Sequence, residues 1–217
     1  MINEFKLKIK EIIKRTYNVK SVRLAVDNGI EYKAGQFLNA CFVREKECRR
    51  YLSISSDFSK VVESAHPGEA VTVLYPFGKF TLDNPKAKIA FLSGGIGITP
   101  IRSICKYVID MNLGTDMILI YANRSIKDVV FKEDFDQMQK LYPKLKVAHV
   151  LCEPAPGFKY TIGLINAQVI KNEVPDYSER KFYICGPPPM VSAMEKILSE
   201  ELHILKENII TEGFQGY

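Results

Sequence analysis

The chain lacks a cysteine pattern, a disordered polar tract and an apolar run of membrane length, and each absence removes a class of protein. Its five cysteines, Cys41, Cys48, Cys105, Cys152 and Cys185, are odd in number, and no two form a CxxC pair. That argues against a disulfide framework, a zinc site and a cysteine-ligated iron–sulfur cluster. No metal is expected. Histidine is scarce, and His66, His149 and His203 are dispersed outside any motif, so a dehydrogenase built on a His–acid pair has no candidate residues. The start, "MINEFKLKIKEI", holds no apolar segment of signal-peptide length, and no stretch approaches a membrane span. A reducing cytoplasm is the expected location, without a membrane partner. No block of one charge sign occurs either: 30 lysines and arginines are scattered among 25 acids, for a net charge of +5. A solvated, mildly basic surface follows first, an acidic protein partner second and nucleic acid last.

What is present is enough for a folded protein. The 217 residues, 47% hydrophobic and 25% charged, can bury one large core or two small ones. Up to residue 83 the chain reads as short strands, "EFKLKIKEIIK", "VKSVRLAV", "QFLNACFV", "RRYLSIS" and "AVTVLY", parted by "DNG", "KAG", "REKE" and "HPGE". Strands without an intervening helix predict a small antiparallel β-barrel over residues 1–83. "DNPKAK", residues 83–88, reads as a connection. From residue 84 to 217 apolar strands alternate with helical patterns. "KIAFLS" precedes a helix with Ile101, Ile104, Cys105, Val108 and Ile109 on one face, and "MILIYAN" precedes "VVFKEDFDQMQKLY". "KVAHVL" and "KFYICG" follow, the last leading into a helix striped with Met190, Met194, Ile197, Leu198 and Leu202. Such alternation predicts an α/β doubly wound parallel sheet that binds ligands beyond its carboxyl strand ends.

Three stretches carry chemistry. "FLSGGIGITP", residues 91–100, places Gly94, Gly95 and Gly97 between a strand and a helix, where backbone N–H groups and the helix dipole can meet a pyrophosphate. Pro100 stands where the common dinucleotide fingerprint has its third glycine, and a plain strand-to-helix corner fits the same residues. "CGPPPM", residues 185–190, puts Cys185 at a second strand end, then Gly186, Pro187 and Met190; a buried inert thiol is the alternative. "CRRYLSISSDFSK", residues 48–60, offers guanidinium, ring and hydroxyl groups to an anionic planar ligand, or simply a solvated polar strand.

In order, "GQF", Arg-Arg-Tyr-Leu-Ser-Ile-Ser-Ser, "PFGKF", "GGIGITP" and "CGPPPM" resemble the ferredoxin–NADP reductase superfamily over nearly the whole chain. The resemblance implies a flavin-binding barrel, a nicotinamide-nucleotide domain, and hydride transfer between NAD(P)H and flavin N5 in the crevice between them. Electrons would pass to a ferredoxin-like protein or companion subunit; a free-flavin reductase or diaphorase, and a non-catalytic nucleotide-binding subunit, are the alternatives. It further implies FAD, with FMN possible, and flavin contacts from Arg49 or Arg50, Tyr51, Ser53 and Ser59.

The family's Arg-x-Tyr-Ser element fits in two registers, pairing Arg49 with Tyr51 or Arg50 with Ser53. Here "SISS" runs straight into "DFSK", where relatives carry a further strand, so the barrel is expected to be shortened. Gly94 to Pro100 would take the pyrophosphate, with Thr99 donating from its side chain. Arg124 and Ser125 after "MILIYAN" suit a 2′-phosphate, which favours NADP over NAD, although Arg124 could instead pair with Asp128. Ser53, Cys185 and Glu212 are expected around the reacting atoms, with Phe214 or Tyr217 over the ring.

Overall fold

The computed structural model describes residues 2–26, 31–42, 48–54 and 66–213. The first five strands are β1 (Asn3–Lys14), β2 (Lys20–Ala25), β3 (Phe37–Phe42), β4 (Cys48–Ser53) and β5 (Ala70–Phe77). They form one antiparallel sheet in the order β2-β1-β5-β3-β4. Alternation decides its faces. Leu7, Ile9, Leu38, Ala40, Leu52, Val71 and Val73 turn into one core, while Lys6, Lys8 and Lys10 of β1 stay in solvent. This is an antiparallel half-barrel, as short strands without helices predict.

The second sheet is wholly parallel. Its strands are β6 (Ile89–Gly94), β7 (Met117–Asn123), β8 (Leu145–Leu151), β9 (Thr161–Ile162), β10 (Lys181–Gly186) and β11 (Ile209–Gly213), ordered β11-β10-β6-β7-β8-β9. The central β6 is buried at all six positions. Helices α1 (Ile98–Asp110) and α2 (Lys132–Leu141) cover one face with Ile101, Ile104, Val108 and Phe135. Helices α3 (Ala167–Glu173) and α4 (Pro188–Lys196) cover the other with Ile170, Val191 and Met194. Each fully buried aliphatic or aromatic side chain of this kind contributes about 1.5–3 kcal/mol.

Local chemistry starts the helices where the sequence signals them. Pro188 opens α4 at a position whose N–H has no intrahelical partner, and the Asn166 side chain accepts from Val169 N at 2.9 Å to cap α3. α2 starts later than the apolar pattern from Val129 suggests. Val129 and Val130 are buried in extended or turn backbone, and Phe131 takes a left-handed φ of 61° before the helix begins.

The amino ends of the parallel strands are clasped by a buried cation. Arg180, 4% exposed, holds Asp176 through Nε at 2.6 Å and Nη2 at 3.0 Å, and reaches Asp116 at 2.7 Å and the Ile89 carbonyl at 3.2 Å. The two sheets meet through the segment between β5 and β6. The Tyr183 hydroxyl donates to Thr81 O at 3.2 Å and Asp83 at 3.1 Å, and Lys181 pairs with Asp83 at 2.6 Å.

Candidate functional site

In the parallel sheet, β7 lies on one side of β6 and β10 on the other. Strand order therefore reverses between β6 and β10, and ligands of doubly wound sheets bind beyond the carboxyl ends at that point. Both glycine turns of the sequence stand there. Ser93 pairs with Cys185, and a Cβ on Gly97 would lie 2.2 Å from the Cys185 carbonyl oxygen and 2.7 Å from Gly186 Cα. Only glycine permits that approach. Gly95 adopts φ 52°, and its carbonyl accepts from the Tyr121 hydroxyl at 3.0 Å. Met190, in the first turn of α4, lays its sulfur against Gly94 and Gly186, next to Pro187.

Hydroxyl groups predicted to meet phosphate have partners inside the fold. Thr99 is 1% exposed and donates to Ile96 O at 3.1 Å, so it braces the turn, and Pro100 is buried in the first turn of α1. Ser125 donates to Asp128 at 2.7 Å. Arg124, whose side chain is 83% exposed, pairs through Nε with Glu153 at 2.8 Å, and not with Asp128.

The half-barrel contributes an aromatic face. Asn39 pairs in register with Tyr51, and Phe37 with Ser53 and Phe77. Tyr51 is 60% exposed, whereas Leu52 and Ser53 are buried. Phe37 stacks on Phe77 at 5.7 Å and meets Tyr51 edge-on at 5.6 Å. Arg49 and Arg50 lie in β4 opposite Cys41 and Ala40, but their side chains, and all of Ser59, Phe214 and Tyr217, fall outside the described residues.

Gly78 is where the two faces meet. A Cβ there would stand 2.9 Å from the Phe37 ring and 3.2 Å from Glu212 Oε1. Glu212, on β11, pairs in register with Cys185. Burial raises the Glu212 carboxyl to about 7 and, with the Glu212 charge adding, pushes the buried Cys185 thiol well above its ordinary range. Cys185 is thus a neutral, polarisable neighbour and no thiolate nucleophile. Glu212 is the group here that titrates near neutrality.

The stability consequence has a definite sign. Above the ordinary value of 4.5 the unfolded chain releases this proton while the fold keeps it up to about 7. Stability is therefore expected to fall as pH rises between those values, by about 3 kcal/mol in all. Urea unfolding of the parent chain and of Glu212→Gln at pH 4 and pH 8 checks this: the variant should match the parent at the lower pH and exceed it at the higher. Equal gains at both values would refute it.

Several buried polar atoms at this end have no hydrogen-bond partner among the described residues: Ser93 Oγ, Glu212 Oε2, Asn39 Oδ1 and both amide atoms of Asn123, which is 7% exposed. Buried polar groups are normally paired, so orphans gathered at strand ends and beside an aromatic face fit a planar, polar ligand plus a nucleotide. Sequence reasoning passed over Phe37, Phe77 and Gly78 although they sit in "GQF" and "PFGKF". It missed Asn39 and Asn123 because a single amide in a strand carries no local signal.

A family described as Oxidoreductase NAD-binding domain matches residues 91–196. The chain is 32% identical over 138 residues to the glycine betaine monooxygenase reductase subunit of Pseudomonas aeruginosa, covering 60% of this chain and 37% of that protein. It is 28% identical over 233 residues to NADH-cytochrome b5 reductase 1 of Dictyostelium discoideum, covering 96% and 80%. The chain thus spans about two-fifths of the first curated relatives. The solved cytochrome b5 reductase domain of Ulva prolifera nitrate reductase shares the fold, with a TM-score of 0.86 at 21% identity over 97% of each chain. The half-barrel beside a doubly wound sheet, the two facing glycine turns and these relatives agree, and the chain belongs to the ferredoxin–NADP reductase superfamily of oxidoreductases.

Proposed function

We propose that this chain is a NAD(P)H-dependent flavin reductase domain that hands electrons to a separate ferredoxin-like protein or companion subunit. The observation that carries this reading is the junction at Gly78, which packs between the Phe37 ring of the half-barrel and Glu212, the in-register neighbour of Cys185 at the strand end that holds the second glycine turn. The division into residues 1–83 and 84–217 belongs to the same proposal, with Asp83 anchored to β10 at the seam. When bound, flavin accepts two electrons from the nicotinamide together and releases them singly.

The residues divide the work. Gly94, Gly95, Gly97 and Gly186 let backbone approach the pyrophosphate, and Asn123 offers an unpaired amide beside them. Tyr51, Phe37 and Phe77 present a ring-binding face. Exposed Tyr51 above buried Leu52 favours the register pairing Arg49 with Tyr51, which leaves Ser53 as a buried neighbour of the face. Cys185 keeps the junction apolar, and Glu212 can hold or give a proton at Oε2. FAD is the flavin we assign, as usual for the family.

For the nucleotide, Arg124 speaks for NADPH, but Glu153 already pairs with it and Asp128 stands next to Ser125. Two carboxylates around a 2′-phosphate position favour NADH, the nucleotide named in the relative from Dictyostelium. Glu153→Gln is expected to raise the ratio of kcat/KM for NADPH to that for NADH by about three- to tenfold, an exposed pair being worth little more. An unchanged ratio would remove Arg124 from this role.

The function itself is tested on the purified protein. A yellow preparation whose 450 nm band (roughly, for any oxidised flavin) bleaches anaerobically with NADH, and recovers with ferredoxin, is expected. Heat-released flavin identifies FAD or FMN. A colourless protein that takes up neither flavin nor dinucleotide overturns the proposal; full turnover on free flavin alone, without ferredoxin, overturns the acceptor.

A further inference from the structure

The turn joining β1 to β2 reaches across to the parallel sheet. It is a tight turn, with Arg15 N and Thr16 N both donating to Val19 O, at 2.8 and 3.2 Å, and Arg15 Nε donating to Ser21 at 2.9 Å. At its tip Tyr17 is 70% exposed, so it buries little apolar surface, yet its hydroxyl donates to Asp128 Oδ1 at 2.9 Å. The other oxygen of Asp128 accepts from Ser125 N at 3.1 Å and Ser125 Oγ at 2.7 Å. Both carboxylate oxygens are thus committed, one to the hairpin and one to the residue that follows Arg124.

A second contact runs beside the first. The Arg15 guanidinium lies 5.1 Å from the Phe131 ring centroid, and Arg102 of α1 lies 4.7 Å from it. Just before Phe131, Val130 N donates to the Tyr121 hydroxyl at 3.2 Å, and that hydroxyl donates to Gly95 O at 3.0 Å. Residues 125–131 are therefore tied to the hairpin at one side and to the glycine turn at the other. The hairpin, the segment after β7 and the pyrophosphate turn make one continuous chain of contacts.

We propose that Tyr17 is a positioning residue for the nucleotide site, holding Asp128 so that Ser125 and Arg124 meet the ribose end of a bound dinucleotide. The proposal rests on reading the strand ends as a dinucleotide site. Tyr17 touches no substrate; it acts through Asp128. Its phenol is raised from the ordinary value chiefly by the hydrogen bond to Asp128, as expected for a donor to a carboxylate.

The test uses the full chain with its flavin, titrated with NAD+ and assayed with NADH and ferricyanide. Tyr17→Phe is expected to raise the Kd for NAD+ and the KM for NADH together by about three- to tenfold while kcat holds, less than the full worth of a hydrogen bond to a charged group because Tyr17 is exposed to water. Asp128→Asn should cost at least as much, since it also loosens Ser125, and the double variant no more than Asp128→Asn alone, because Tyr17 acts only through Asp128. Amide exchange over residues 125–131 should quicken in Tyr17→Phe. Unchanged Kd and KM in Tyr17→Phe, or additive losses in the double variant, overturn the proposal. A loss that falls on kcat or flavin content also overturns it, since positioning of the ribose would not move either. Wild-type protein that binds no NAD+ sinks the dinucleotide reading itself, and this proposal with it; wild-type binding with an indifferent Tyr17→Phe sinks this proposal alone.

Discussion

Alanine at Gly97 is expected to lower kcat/KM for NADH by about a hundredfold while the flavin spectrum stays in place. The added methyl would stand 2.2 Å from the Cys185 carbonyl oxygen and 2.5 Å from its carbon, both backbone atoms of a central strand. Neither can swing aside as a side chain would. Relief has to come from the first turn of α1 moving away from β10, and a displacement near 1 Å at a phosphate-binding turn costs about two orders of magnitude. A Cβ on Gly97 would meet Cys185 and Gly186 backbone and none of Phe37, Tyr51 or Phe77, so flavin content should persist. Steady-state rates with ferricyanide and the 450 nm band (roughly, as for oxidised flavins) read both quantities. A Gly97→Ala protein with ordinary kcat/KM would show that the two turns do not share a ligand.

Methionine at Arg180 is expected to cost about 3 kcal/mol of stability, a fall in thermal midpoint of about 6–12 °C for a chain of this size. The guanidinium is 4% exposed and joins the start of β6 and the residue before β7 to the segment before β10. Removing one partner of a buried pair strands the other charges, which costs about 3–5 kcal/mol. Asp116, whose side chain is 46% exposed, can recover water, and Lys88 still pairs with Asp176 at 3.0 Å, so the lower end applies. The clasp sits at the amino ends of the strands, away from both glycine turns, so KM for NADH should not change. Its acid dependence is also set. The Arg180 guanidinium first, and Lys88 with it, hold the Asp176 carboxyl down at about 2 against an ordinary 3.8. That contribution is complete above 3.8 and is lost as pH falls through about 2, and Arg180→Met should flatten acid unfolding in that window. A midpoint unchanged by Arg180→Met would refute the clasp.

Much of the architecture was legible from residue order alone. Alternating apolar runs and helical stripes identify β6, β7, β8 and β10 with their helices because periodicity is a local property, written within ten residues. The turns "SGGIGITP" and "CGPPPM" stand out for the same reason, since φ above zero at Gly95 and the opening of α4 at Pro188 are requirements of the chain at those points. Their meeting also followed, because strand alternation implies a crevice at the carboxyl ends.

Other features needed the folded chain. Strand β11 is five residues long and half-exposed, too short and too mixed to announce itself. Only pairing with β3 shows that Leu52 enters the core and Tyr51 stays outside. Thr99 and Ser125 looked free for phosphate, but each hydroxyl is engaged three residues away, by Ile96 O and by Asp128, once the local turns form. Arg124 met Glu153, 29 residues on, instead of Asp128. By itself the sequence determined the two kinds of sheet and the two glycine turns, since these depend on periodicity and backbone freedom within a few residues. The Gly78–Glu212 junction, the hold of Tyr17 on Asp128 and the Arg180 clasp were decided by tertiary structure alone. Each joins groups brought together only by sheet order and packing, and no local pattern encodes a contact between distant segments.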